Sequence, residues 1–284
     1  MRVSVLFATG VLTTLMASSA ALAADYSMLR GTQQDAPQSM GRVVADEGID
    51  WNGLTIAAHG GLSRTYFDFD NSMQTLATTP FRQTLLQSEI NPSSWIKTRS
   101  GQDRGQSFGA ILGYNLMIDD IVVGLEADYT RIGQKHSSSD FIGRRVSTSN
   151  GDVNDVTLAS TQAVEINDYA TARVRLGLAK GRFMPFVTFG GAAGRFNSNQ
   201  TVVSNWNFQR AGFGPFQTAV GFPATSSDNR KNIYGYGLTG GVGVDVALTS
   251  NVFLRAEYQY VRFADVKGTT VDVNTIRAAG GVKF

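Results

Sequence analysis

The chain has no cysteine, which excludes a disulfide scaffold and any cysteine-ligated metal. Charge is also scarce. Asp, Glu, Lys and Arg make up 17% of the 284 residues, and 25 basic side chains face 23 acidic ones. A balance this even gives no electrostatic case for nucleic acid as a partner. Histidine occurs only twice, at His59 and His136. No acidic group has the spacing of a calcium loop: Asp152, Asn154 and Asp155 lack the glycine and the terminal glutamate. Long apolar runs are missing too. A spanning helix needs about 20 predominantly apolar residues, and polar or charged residues interrupt every run beyond the N-terminal one. Membrane insertion would therefore have to use strands.

The N-terminus is read as an export signal. Arg2 supplies a charge, Val3 to Met16 an apolar stretch, and Ala21-Leu22-Ala23 a small-x-small cleavage site, which predicts a signal peptide over 1–23. Residues 24–50 show no strand alternation and are read as a periplasmic N-terminal extension. The remainder, 51–284, is long enough for one large all-β domain. Its 31 glycines exceed the usual share of about 7% and fall within strand-like segments.

Eight such segments alternate with period two. The first, about 51–66, sets Leu54, Ile56, Ala58 and Leu62 against Thr55, His59 and Ser63. The third sets Val123, Leu125, Ala127 and Tyr129 against Gly124, Glu126, Asp128 and Thr130. The fourth sets Ala170, Ala172, Val174, Leu176 and Leu178 against Thr171, Arg173, Arg175 and Gly177. The fifth is less clear, with Val187 and Phe189 assigned outward. The last strand closes flush on Phe284. Connections alternate long and short: polar stretches over 67–104, 133–160 and 197–231 are expected as surface loops, with tight turns at Asp119-Asp120, Lys180-Gly181-Arg182 and Thr249-Ser250-Asn251. This is the order of an eight-stranded antiparallel up-and-down transmembrane β-barrel in the outer membrane, short turns periplasmic and long loops outside. Extended stretches at 157–168 and 201–209 leave a ten-strand barrel open.

In that barrel one face of each strand meets outer-membrane lipid, and aromatics should gather at two depths. Trp51, Tyr114 and Phe284 are expected at the periplasmic rim, and Tyr129, Tyr258 and Tyr260 towards the outer rim. The other face is charged. Glu126, Asp128, Asp245 and Glu257 point inward with Arg173, Arg175, Arg255, Arg277 and Lys283. Eight strands leave just enough room for side chains to fill the interior, so a paired, plugged lumen is expected, with a narrow charged pore as the competing use. Glycines 109, 113, 124, 177, 241 and 243 are expected to make room for the arginines.

The ordered set Gly124-Leu125-Glu126-Ala127-Asp128-Tyr129, Thr171-Ala172-Arg173-Val174-Arg175-Leu176-Gly177, Gly241-Val242-Gly243-Val244-Asp245, Arg255-Ala256-Glu257-Tyr258 and the Phe-terminated strand resembles the porin-like outer-membrane β-barrel family of alphaproteobacterial surface proteins, related to opacity-type and OmpA-like barrels. The resemblance covers about Trp51 to Phe284. It implies a surface protein with a role in envelope integrity, host contact or modest solute passage. Phe284 is then the assembly signal, presented by the C-terminal strand to the barrel-assembly machinery.

No enzymatic activity, metal or cofactor is expected. His59 lies mid-strand with no acidic residue at neighbouring same-face positions, and His136, in Lys135-His136-Ser137-Ser138-Ser139-Asp140, sits in a stretch expected to be a flexible loop. A nucleophile needs an oriented base within reach. Within 197–231, Trp206, Phe208, Phe213 and Phe216 are candidates for a binding face towards host or other surface ligands. The plainer alternative is that these aromatics pack on neighbouring loops. Two functions stay open: a structural, surface-interactive barrel, or a small porin for passive diffusion.

Overall fold

The computed structural model describes residues 49–69, 73–264, 266 and 268–284. The expected signal peptide and residues 24–48 of the expected extension lie outside the described residues.

The period-two segments are strands, and they close on one another. The strands are β1 (Gly53–Phe69), β2 (Gly101–Ile118), β3 (Ile121–Ser147), β4 (Val153–Leu178), β5 (Phe183–Gln209), β6 (Gln217–Thr218), β7 (Ala224–Ala247), β8 (Val252–Phe263) and β9 (Thr269–Lys283). Eight of them form an antiparallel ring in chain order, sealed where β1 pairs with β9 from Thr55↔Lys283 to Phe69↔Thr269. The two-residue β6 pairs only with β5. Closure leaves no open sheet edge, which hydrocarbon would not tolerate. The ten-strand alternative falls: 157–168 and 201–209 are continuations of β4 and β5, which pair with each other from Val153↔Gln209 through Asp168↔Arg195.

Both chain ends of the ring and the short turns lie at one end. Between β2 and β3 only Asp119-Asp120 intervene, with Asp119 in the left-handed region at φ 54°. That end is periplasmic in a barrel with short periplasmic turns.

The expected loops are corrected. Of 133–160, only 148–152 lies outside strands; of 197–231, only 210–216 and 219–223 do. β3 and β5 each run 27 residues, although crossing hydrocarbon takes about 9–11 per strand. At about 3.4 Å per residue, β3, β4, β5 and β7 project far beyond the membrane as a four-stranded sheet. The remaining stretch, 67–104, continues β1 to Phe69 and carries short helices α1 (Gln74–Thr78) and α2 (Leu85–Glu89) with 3-10 turns at Thr79–Phe81 and Pro92–Trp95 before β2 begins at Gly101.

The outward face marks where the membrane stops. In β1 it reads Leu54, Ile56, Ala58, Gly60, Leu62 and then Arg64; in β3, Val123, Leu125, Ala127, Tyr129 and then Arg131. Higher up it turns polar, with Ser137 and Ser139 on β3, Thr161 on β4 and Asn199 on β5. Exposed Tyr114, Phe183 and Phe284 ring the periplasmic edge, and Phe108, Tyr129, Tyr234, Tyr236 and Tyr258 the outer edge. Trp51 departs from the expected girdle. It is 2% exposed and turned into the periplasmic mouth, its ring edge-on to Phe253 at 6.5 Å.

Candidate functional site: the filled lumen and the projecting sheet

Alternate residues of β3, β4, β7, β8 and β9 bring four arginines and four carboxylates to one level of the lumen. All eight side chains are buried. Glu126 is the hub: it accepts from Arg173 at 3.1 Å, Arg175 at 3.1 Å and Arg255 at 2.8 Å. Asp245 takes Arg255 through Nε at 2.8 Å and Nη2 at 3.1 Å, and also bonds Arg175. Glu257 accepts from Arg173 at 2.5 Å and from Arg277 Nη2 at 3.0 Å. Asp128 bonds Arg277 and lies 3.5 Å from Arg173. Four positive charges therefore meet four negative ones. Such pairing is what makes buried charge tolerable, since a single unpaired ion costs several kcal/mol.

Sequence reasoning missed the residues that brace this network. Phe186 lies under two guanidinium groups, with Arg175 Cζ 4.0 Å and Arg255 Cζ 4.8 Å from its ring centroid, a cation–π arrangement. His59 gains an acidic partner from across the wall: Nε2 is 3.1 Å from Asp128 Oδ1. The expectation of no acidic neighbour held only along its own strand, because β1 meets β3 across a glycine. A Cβ on Gly109 would come within 2.7 Å of His59 Nε2, and one on Gly243 within 2.6 Å of Phe186 Cζ. At these two positions the glycines admit the bracing rings rather than the arginines. The parity of Phe186 in β5 was the available signal, since it shares a face with Met184 and Thr188.

Layers close the lumen on both sides of the charges. Towards the periplasm, Trp51, Val122, Met184 and Phe253 pack with small side chains. Outward comes a hydroxyl and amide layer, where Ser63 Oγ lies 2.8 Å from both Ser107 Oγ and Thr275 Oγ1, and Tyr169 donates to Gln259 at 3.2 Å. Beyond it Phe67, Ile166, Phe196, Phe263 and Val271 form an apolar stopper.

The projecting sheet carries its own core. Phe81, Leu86 and Ile96 from the helical segment pack on Val156, Leu158 and Val202 of β4 and β5. Helix α2 starts with Thr84 as N-cap, its hydroxyl accepting from Gln87 N at 3.2 Å. At the far end Glu89 accepts from Ser149 N at 2.8 Å and from the Ser149 hydroxyl, tying α2 to the β3–β4 turn. These two hydrogen bonds hold the Glu89 carboxyl below the usual range, the side-chain bond contributing most.

The four aromatics proposed for a binding face separate here. Trp206 turns inward against Phe81 and Phe222, at ring distances of 6.2 and 5.5 Å, and donates to Asn154 Oδ1 at 2.9 Å. It anchors the helical segment. Phe208 packs beside Trp206, and Phe216 lies under Arg145 at 4.9 Å. Phe213 alone of the four stands nearly free, at 82% exposed. His136 is not in a loop either: it is a residue of β3, stacked on Phe67 and Phe69 at 6.1 and 5.6 Å. Asp140 is engaged elsewhere, accepting from Lys97 N at 2.8 Å.

A closed ring of eight strands, an apolar outer band between two aromatic belts and short turns at one end define a β-barrel of the Gram-negative outer membrane. The chain belongs to the outer membrane protein beta-barrel domain family, whose model matches residues 10–284. Among solved structures it is similar to neisserial surface protein A, at 15% identity and a TM-score of 0.35 over 82% of this chain and 98% of that one. It is also similar to the outer membrane protein OprG from Pseudomonas aeruginosa, at 13% identity and a TM-score of 0.34 over 82% of this chain and 96% of that one. Ail, the attachment invasion locus protein of Yersinia pestis, matches at 13% identity and a TM-score of 0.30 over 81% of this chain and 99% of that one. A comparison with curated proteins finds no match.

Proposed function

We propose that the protein is a closed structural barrel whose interactions take place outside the membrane, on the projecting sheet and its tip. The carrying observation is the lumen: a neutral, fully buried network of four arginines and four carboxylates lies between an apolar mouth and an apolar stopper. A conducting pore needs a continuous wet path, and the packed apolar clusters above and below the charges interrupt one. The sheet extends β3, β4, β5 and β7 well past the aromatic belt, and the helical segment stiffens it. A stiffened platform presents its tip to surface ligands with little entropy left to lose on binding. Exposed Phe213, beside Arg210 at the tip, is the residue offered to a host or surface ligand. The activity is non-enzymatic: both histidines are occupied by packing or by the network. Phe284, 69% exposed at the periplasmic rim, serves as the assembly signal for the barrel-assembly machinery.

The test is single-channel recording of refolded protein whose barrel is verified by heat-dependent gel mobility. Silence is expected. Steady, discrete, charge-selective steps would overturn the closed reading and restore the small porin. Replacing Phe213 and Phe216 by Ser should leave the gel shift unchanged and abolish adhesion of expressing cells. Full adhesion by that variant would remove the tip from the account.

A further inference from the structure

We infer that the outer wall of the barrel carries a binding site for a phosphorylated, acylated lipid of the outer leaflet, built on Arg64 and Arg104. The two residues are directly opposed in the β1–β2 ladder and share the outward face. Opposed positions place Cβ atoms about 5 Å apart, where like charges destabilise a sheet. Other strand arginines that face outward avoid this cost: Arg145, Arg195, Arg230 and Arg262 each lie against an aspartate, and Arg131 is opposed by Phe108 rather than by a cation. Among the described residues Arg64 and Arg104 have no carboxylate within 4 Å; Arg64 reaches only the hydroxyl of Tyr66, at 3.3 Å. Two adjacent unpaired cations call for a shared anion, and a phosphate accepts from two guanidinium groups at once.

Height on the wall decides which anion. Arg64 is the first charged outward residue beyond the apolar run of β1, and its neighbour in β9 is Asn274. A cleft of about 860 Å³ opens at the pair. Its lower lining is Leu62, Ile276 and the Tyr258 ring with Gln106 opposite Leu62, and its upper lining is the two arginines, Tyr66 and Asn274. Mostly apolar below and cationic above, at the edge of the hydrocarbon band, this cleft matches an acyl chain that continues into a phosphorylated headgroup. A soluble phosphate would use the arginines and leave the apolar half bare.

Native mass spectrometry of detergent-extracted protein supplies the test, with lipid A, dephosphorylated lipid A and inorganic phosphate as probes. Wild type should retain lipid A against detergent exchange and should not retain the dephosphorylated form. The R64Q/R104Q double variant should lose about tenfold or more in retention, the equivalent of one charge-assisted contact. R145Q/R230Q removes the same charge from the projecting sheet and should retain lipid A as wild type does. Heat-dependent gel mobility selects folded material for every variant, and R64K/R104K serves if the Gln pair does not fold, with an intermediate loss expected. Equal retention by wild type and R64Q/R104Q would overturn the site. So would equal loss in R145Q/R230Q, which would reduce the effect to general charge, or displacement of lipid A by millimolar inorganic phosphate, which would make it a plain anion site.

Discussion

Replacing Glu126 by Gln removes the hub of the lumen network while keeping its shape. Three guanidinium groups point at this carboxylate, at 3.1, 3.1 and 2.8 Å. The substitution leaves four buried arginines facing three carboxylates, a net charge of +1 in a layer closed at both ends by apolar side chains. Breaking a buried pair by removing one partner costs about 3–5 kcal/mol. Hydrogen bonds to charged groups are worth about 1.5–3 kcal/mol each, so the three bonds sum to about 4.5–9 kcal/mol, mostly above that range. The excess is not realised, because Arg255 keeps both bonds to Asp245 and Arg173 keeps Glu257. We therefore expect E126Q to lose about 3–5 kcal/mol, a large part of the 5–15 kcal/mol typical of a folded domain. The assay is equilibrium urea unfolding of barrels in lipid vesicles, followed by tryptophan fluorescence and gel mobility. Glu165→Gln, on the outward face of the projecting part of β4, is the control and should stay within about 0.5 kcal/mol of wild type. Pairing E126M with R175M restores neutrality and should cost less than the two single losses added together, by about 1 kcal/mol or more. A loss below about 1 kcal/mol for E126Q, or strict additivity in the pair, would refute the view that charge balance holds this layer together.

Trp51→Ala should cost about 3–5 kcal/mol in the same urea titration, as expected for a large buried ring, whereas a lipid-rim tryptophan would lose far less. Phe81→Ala should speed hydrogen exchange across 73–96 and leave the gel shift of the barrel intact, because Phe81 packs on Trp206 and Phe222 above the membrane. Exchange unchanged at 73–96 would mean that the helical segment is held by other contacts. Glu89 gives a pH dependence: its folded carboxyl is depressed by the Ser149 hydrogen bonds, so its contribution is present above the unfolded value of about 4 and is lost as pH falls further. Exchange at 85–91 should rise on acidification in wild type and be flat with pH in Glu89→Gln.

The period-two pattern was enough to determine the ring. Lipid demands an apolar residue at every outward position, so Val123-x-Leu125-x-Ala127 and Ala172-x-Val174-x-Leu176 could be read directly, and with them the inward parity of Glu126, Arg173, Arg175 and Arg277. Beyond the membrane that demand disappears. Outward positions of the projecting sheet turn to Ser, Thr and Asn, and the same residues that build strands there carry the composition of loops. A bulge at Asn167, where pairing jumps from Ile166 to Asp168, also shifts the parity of β4. Val156, Leu158 and Val164 are thereby out of phase with Arg173, and the long strand was invisible to a period count.

The sequence by itself determined the closed antiparallel barrel and which charges point inward, because each follows from local alternation against lipid; eight strands rather than ten was settled only by the pairing of β4 with β5. The tertiary structure alone decided who meets whom. Asp128 reaches His59 from a strand 69 residues away, Phe186 slides under two arginines, Trp51 leaves the rim to close the mouth, and Trp206 turns from the surface to clamp a helix. Those choices depend on register and on which positions lack a Cβ, and both are set only when the ring closes and the strands fix one another's height.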